Sequence, residues 1–300
     1  MKFSIVTPTF NSERFLSETI ESVIKQKGDF SIEYNVVDNC SNDHTASIVK
    51  QYQQAIETGE FQYQCNDIQL YFIQEPDAGM YDAICKGFSR ATGDVFAWIN
   101  SDDIYLEGAF DNVSKVFFQY PEVQWLKGTT SYIDENSETT SQGRCFLYAQ
   151  NWIRKGVYGP VLYFIQQDSV FWRSALWESG HDEISKYSLS GDYILWREFA
   201  KCEPLYTLNV FLSCFRKVTG QKSENIQAYW AELEQNKNID CRLMKLLKTY
   251  FRIEAKLPVP FVPFFRKLFF GKQMYQLILI GGDGLPKLYK GQINQLESYL

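Results

Sequence analysis

Histidine is nearly absent: the 300 residues include two, His44 and His181. That excludes imidazole-rich metal sites. A Ser-His-Asp triad would have to use one of the two, and neither sits beside a nucleophile elbow. Seven cysteines, at 40, 65, 85, 145, 202, 214 and 241, contain no CxxC pair. Scattered and odd in number, they read as reduced cytosolic thiols, not as a disulfide framework or a zinc site. Positive charge is scarce too: the net charge is −6 and no basic block precedes the C-terminal third, so nucleic acid is not an expected partner. No window reaches the length of a membrane-spanning helix. The opening MKFSIVTPTF lacks a basic n-region, so no signal peptide is expected. The first strand runs into PTFNSE, with no GxGxxG to cradle a pyrophosphate and no P-loop anywhere. Internal repeats are absent.

What remains is a chain with ample core-forming residues, 45% hydrophobic and 16% aromatic, suited to one large domain or a domain with an appendage. Short apolar strands at 3–7, 32–37, 70–73 and 95–99 alternate with amphipathic helices. The first helix follows Ser12, a plausible N-cap, and the third is stopped by Gly93. This β-α-β-α-β-α-β pattern predicts a parallel sheet with covering helices. In such sheets ligands bind beyond the carboxyl ends of the strands, where strand order reverses. Each strand has polar residues at that end: Pro8 to Asn11, then Asp38, then Glu75 with Asp77, then Asp102 with Asp103. An order of 3-2-1-4 would place Asp38 and Asp102 on either side of the loop from Pro8 to Phe10. Further on, residues 105–120 read as a helix and 123–133 as one or two strands. Residues 134–144 read as a polar loop, 145–172 as aromatic strands and loops, and 205–216 as a strand. The character changes near residue 220, after which 223–252 look helical.

The run Val95-Phe96-Ala97-Trp98-Ile99 stops at Asn100-Ser101-Asp102-Asp103. Adjacent carboxylates at the mouth of a buried strand repel each other unless a cation sits between them. A hard divalent ion meets that need and can keep phosphate oxygens in its shell. A solvated acidic turn is the plainer reading of the same residues.

The segments SIVTPTFNSERFL, VVDNCSNDHT, EPDAGMYDAICKGFSRATGD, WINSDD and SGDYILW, in this order, resemble family 2 of the glycosyltransferases over residues 3–217. The resemblance implies the GT-A fold, a Rossmann-like, mostly parallel α/β sheet with helices on both faces, here followed by a C-terminal helical extension. It also implies sugar transfer from a nucleotide-diphosphate donor, with a divalent ion (Mn²⁺ or Mg²⁺) and inversion at the anomeric carbon. Carried onto this chain, the donor's base pocket falls on Pro8, Phe10 and Asp38. The metal site falls on Asp102 and Asp103, with Asp102 also within reach of the ribose. The general base falls on Asp192. The family often has Asp where Asn100 stands, and an acid where Gly191 stands. The 75–87 segment would lie near the donor, which makes Asp77 and Lys86 donor-binding candidates.

Each residue also has a plainer use. Asp192 could be a helix N-cap, Asp77 a turn former, and Lys86 part of a solvated face. Asp43 reads as a cap for the second helix. Gln167 and Asp168 match a segment near the acceptor cleft. Arg216 and Lys217 could meet phosphates or form salt bridges, and His44 and His181 read as loop residues.

The expected organisation is a GT-A domain over 1–220, with a nucleotide-sugar half at 1–103 and an acceptor half at 104–220, and a mostly helical extension at 221–300. Inside the extension, residues 257–270 are apolar and aromatic, with Arg266, Lys267 and Lys272 near or within the run. They could form an interfacial membrane anchor, or helices that close the core or make a homodimer. The expectation is a cytoplasmic enzyme, with room for a peripheral place on the inner face of the plasma membrane. It would transfer to a saccharide or lipid-linked saccharide acceptor in surface-polysaccharide synthesis. A non-catalytic nucleotide-sugar-binding protein of the same fold is the alternative. A nucleotidyltransferase is disfavoured, because the first loop lacks the Gly-rich, basic signature a triphosphate would want.

Overall fold

The computed structural model describes residues 1–221, 225–235, 241–254, 256, 273–296 and 299. Its first half is the alternation read from the sequence. Strand β1 (Lys2–Thr9) is followed by α1 (Leu16–Ile24), β2 (Ser31–Asp38), α2 (Thr45–Glu57), β3 (Asp67–Gln74), α3 (Met80–Phe88) and β4 (Val95–Trp98). The strands lie in the order β3-β2-β1-β4, all parallel. β1 and β2 are buried over nearly their whole length because helices cover both faces. Gly87 lets α3 lie close to the sheet: a Cβ there would meet the Val6 methyls at 2.6 and 2.7 Å.

Register sets the strand ends level. Thr9 pairs with Asp38, and Asp38 with Gln74. β4 ends earlier, with Trp98 opposite Val6, so residues 99–103 leave the sheet beside the last turn of β1.

The second half begins with the two-residue β5 (Ile104–Tyr105) and α4 (Ala109–Gln119). β6 (Trp125–Ile133) forms a hairpin with β7 (Thr139–Gln142), so part of the expected polar loop is strand. α5 (Gln150–Arg154) and a single 3-10 turn lead to β8 (Val170–Arg173), which runs antiparallel between β4 and β6. Then come the short α6 (Ser174–Trp177) and α7 (His181–Ile184), α8 (Gly191–Cys202) and β9 (Tyr206–Arg216). A tryptophan layer joins the halves. Trp98 on β4 stacks on Trp196 of α8 with centroids 5.5 Å apart and planes at 8°, and Trp172 meets both edge-on.

The extension is helical at α9 (Ile226–Gln235), α10 (Cys241–Glu254) and α11 (Ile293–Leu296), but it also carries a hairpin absent from the sequence reading. Its strands, β10 (Tyr275–Ile280) and β11 (Pro286–Gly291), continue the sheet beyond β9. The extension therefore shares the sheet of the N-terminal domain. Residues 257–270 lie outside the described residues. Among the described residues no helix is long and apolar enough to cross a membrane.

Candidate active site

Four loops at the carboxyl ends of the parallel strands are hydrogen-bonded into one rim. After β1, the Asn11 amide N–H donates to Ser41 Oγ (2.8 Å), and Asn11 Oδ1 accepts from the Asn42 N–H (3.1 Å). Ser12 Oγ meets Ser101 Oγ at 2.8 Å, which ties the first loop to the acidic one. Asn39 Oδ1 accepts the Asp77 N–H at 2.9 Å. Ser12 is thus spent on the rim, and α1 begins only at Leu16. Asn11 and Cys40 both adopt left-handed backbone, with φ of 51° and 52°, where the first two loops meet. Asp43 accepts the Thr45 N–H at the head of α2 (2.9 Å), close to the capping use expected of it.

Within this rim the predicted residues separate into two groups. Pro8 is buried at the end of β1, whereas the Phe10 ring is 61% exposed. Asp38 is fully buried. Its Oδ1 accepts from Thr9 Oγ1 (3.1 Å) and Ser41 Oγ, and its Oδ2 from the Ser41 N–H (2.9 Å) and Gln74 Nε2 (3.0 Å). A carboxylate has about four lone-pair sites, and the chain's own donors fill them. Asp38 thereby pins the ends of three adjacent strands on the rim where the resemblance puts the donor's base.

Asp77 is partly buried. Its Oδ1 accepts the Gly79 N–H (2.8 Å), and burial pushes its carboxyl above the usual range. Lys86 bonds the Pro76 carbonyl at 2.6 Å and pairs with Asp82 at 3.0 Å. It clamps the 75–79 loop, the segment expected near the donor.

The acidic pair divides as well. Asp103 is fully buried; Oδ1 accepts the Arg216 N–H (2.8 Å) and Oδ2 the Asn100 amide (3.2 Å). Burial, with the charges of Asp102 and Asp168 added, pushes its carboxyl well above the usual range. Each oxygen thus takes one hydrogen bond from the chain, which leaves lone pairs on both. Asp102 is partly exposed, with Oδ2 accepting from Gln221 Nε2 at 2.7 Å. Burial raises its carboxyl too, against the lowering effects of Gln221 and Arg216.

Arg216 is the hub beneath this loop and is fully buried. It donates to the carbonyls of Asp102 (2.8 Å) and Asp134 (2.9 Å), pairs with Glu18 at 2.8 Å and lies 4.3 Å from the Phe15 ring centroid. Lys217 sits over the Tyr132 ring, with Nζ 4.0 Å from the centroid. Gln167 and Asp168 lie in a buried polar cluster, where Asp168 accepts from Thr130 and Ser213. His44 is exposed and pairs with Glu13. His181 stacks on Trp177.

A divalent ion suits the oxygens left over. The buried Oδ1 of Asn100 has no hydrogen-bond partner among the described residues, and it belongs to the same short loop as Asp102. Among the described residues no group of three or more His, Cys, Asp or Glu could form an all-protein cage. One carboxylate and an amide oxygen fit an ion that takes its other ligands from a diphosphate and water, as Mg²⁺ commonly does.

Asp192 opens α8, one turn before the Trp196 that stacks on β4. Its Oδ1 accepts from the hydroxyls of Tyr81 (3.2 Å) and Tyr229 (3.1 Å). It lines a hollow with Ile153, Tyr158, Phe164, Tyr193 and Arg197. Desolvation pushes its carboxyl up to about 6, although the two hydroxyls pull it down. Gly191 has a steric reason: a Cβ there would lie 2.7–2.8 Å from three carbons of the Tyr81 ring. Neither tyrosine was found by sequence reasoning. Tyr81 stood inside the EPDAGMYDAICKG segment. Tyr229 lies in a helix with no motif to point at Asp192.

Residues 4–180 match the model of the family described as Glycosyl transferase family 2. The chain belongs to that family. The family 2 match stops short of Asp192, so that residue rests on the geometry above. An uncharacterized glycosyltransferase of Nostoc sp. is 31% identical over 142 residues, 47% of this chain and 40% of that protein. The poly(ribitol-phosphate) beta-N-acetylglucosaminyltransferase TarS of Staphylococcus aureus is 29% identical over 139 residues, 45% of this chain and 19% of TarS. The putative teichuronic acid biosynthesis glycosyltransferase TuaG of Bacillus subtilis is 31% identical over 100 residues, 33% of this chain and 35% of TuaG. This family 2 chain thus matches less than half the length of each. Among solved structures, residues 1–349 of S. aureus TarS with UDP-GlcNAc give a TM-score of 0.55 at 17% identity, over 82% of this chain and 66% of that one. The likeness shows the GT-A fold.

Proposed function

We propose that this family 2 member is a glycosyltransferase that moves a sugar from a nucleoside-diphosphate donor to a saccharide or lipid-linked saccharide acceptor. The observation that carries the proposal is the pairing of a partly exposed Asp102 at the end of β4 with a separate, desolvated Asp192. The two are joined through the stacked Trp98 and Trp196 of β4 and α8. The exposed Phe10 ring offers a face for the nucleobase, and the 77–79 turn closes the same rim. Asp102, with the unpaired Asn100 oxygen, would hold Mn²⁺ or Mg²⁺. When bound, such an ion supplies positive charge to the departing diphosphate.

Asp192 takes the proton of the acceptor hydroxyl as that oxygen attacks the anomeric carbon. With its carboxyl raised to about 6, it is ionised at neutral pH and a stronger base than an ordinary aspartate. With Asp192 acting as a base on the acceptor rather than as a nucleophile on the donor, the transfer is a single displacement with inversion. UDP as the nucleotide is supported by the fold shared with TarS structures titled as UDP and UDP-GlcNAc complexes. A cell-surface polymer as acceptor is supported by relatives named for teichoic and teichuronic acid biosynthesis. Free thiols at Cys40, Cys65, Cys85, Cys145, Cys202 and Cys214 suit a reducing, cytoplasmic setting. The alternative, a non-catalytic binder, drew on Gly191; the Tyr81 ring gives that glycine a packing reason instead.

The test is release of UDP from a panel of UDP-sugars with Mn²⁺, by wild type and Asp192→Asn. Turnover by wild type and a loss of about 100-fold or more in the variant is expected. No turnover with any nucleotide sugar, alongside tight nucleotide binding, would favour the binder.

A further inference from the structure

Asp192 is held from outside the region matched by the family. Tyr229 and Glu232 are three residues apart on α9, so they share one face of that helix. The Tyr229 hydroxyl donates to Asp192 Oδ1 at 3.1 Å. Glu232 takes the turn that precedes Asp192: Oε1 accepts the Ser188 N–H at 2.7 Å. Oε2 accepts the N–H groups of Leu189 (3.1 Å) and Ser190 (2.8 Å) and the Ser190 hydroxyl (2.6 Å). α9 is itself anchored by Leu233 against Tyr193 and Ile194, and by Trp230 stacked on Phe164 at 5.5 Å.

We infer that α9 is a working part of the active site, with Tyr229 as the residue that positions the Asp192 carboxylate and Glu232 as the residue that holds its turn. The inference rests on Asp192 being the base. Tyr81 and Tyr229 converge on one oxygen, Oδ1, from helices on two sides. The two hydroxyl bonds orient the carboxylate, together with hydrogen bonds from the Tyr193 and Asp192 backbone. The other titratable or charged groups around it include Glu232 on α9, Tyr193 and Arg197 on α8, and Tyr158 on the wall of the hollow. Each tyrosine hydroxyl favours the ionised carboxylate, so loss of one raises the pH at which the base becomes active.

Tyr229→Phe keeps the ring against Phe164 and Trp230 and removes only the hydroxyl. The expected result, measured on the full chain, is a fall in kcat of about tenfold with donor KM unchanged. The acidic limb of the rate profile should move upward by about half a pH unit. Glu232→Ala should lower kcat likewise without weakening UDP binding. If Asp192→Asn is inactive while Tyr229→Phe keeps wild-type kcat and limb, the inference fails and the proposed function stands. If Tyr229→Phe loses UDP binding and kcat together, its role is general support of the fold and the inference also fails. If Asp192→Asn works at the wild-type rate, the base assignment itself is wrong.

Discussion

The Tyr81 ring lies across Gly191, within 2.8 Å of where a Cβ would stand, and its hydroxyl reaches the neighbouring Asp192 at 3.2 Å. One side chain thus sets both the identity of residue 191 and the orientation of residue 192. Tyr81 is almost completely buried and cannot yield without repacking α3. Gly191→Ala should therefore cost about 1–3 kcal/mol of stability, the usual range for overpacking. It should lower kcat more than an exposed Gly→Ala change such as Gly282→Ala, where a Cβ meets nothing within 4 Å. Thermal melts and initial rates of the two variants check this.

Asp192 predicts the acid side of the rate profile. The base must be ionised, and burial raises its carboxyl from the ordinary 3.8 to about 6. Transfer should be half-maximal near pH 6 and fall about tenfold per unit below it. The sign for stability is opposite. A carboxyl whose folded pKa is raised favours the fold when protonated, so its contribution declines as pH rises from about 4 through 6. A rate profile flat down to pH 5 would contradict this assignment.

Asp103 should behave as a structural residue. Asp103→Ala leaves the Arg216 N–H and the Asn100 amide without their shared partner in a buried site. A loss of about 1–3 kcal/mol or more is expected from denaturant titration, since an orphaned buried donor pays its desolvation in full. A variant of unchanged stability would contradict this structural role.

Much of the frame was legible in the sequence because it is local. Alternating apolar strands and amphipathic helices gave the parallel half, and polar residues after each strand marked the edge where the rim forms. The order β3-β2-β1-β4, which the pattern alone raised only as a condition for Asp38 and Asp102 to flank the first loop, is the one the sheet has. What sequence could not supply was the direction of each carboxylate. Asp38 and Asp103 look like their exposed counterparts in a string of letters, and only register and the placement of Ser41, Gln74 and Arg216 turn them inward. The hairpin β10-β11 was missed because its strands are short and flank a Gly-rich turn after a long apolar stretch. Tyr229 and Glu232 were missed because nothing in AYWAELE says which surface the helix meets.

Asp102 is the partly exposed acid of the pair, and UDP binding measured by calorimetry with and without Mn²⁺ tests its place in the donor site. Wild type should bind UDP at least about tenfold more tightly with Mn²⁺, a difference of about 1.4 kcal/mol. Asp102→Asn should lose most of that gain while melting within a few degrees of wild type. Equal UDP affinity with and without Mn²⁺ in the wild type would contradict a metal-assisted donor site at the end of β4.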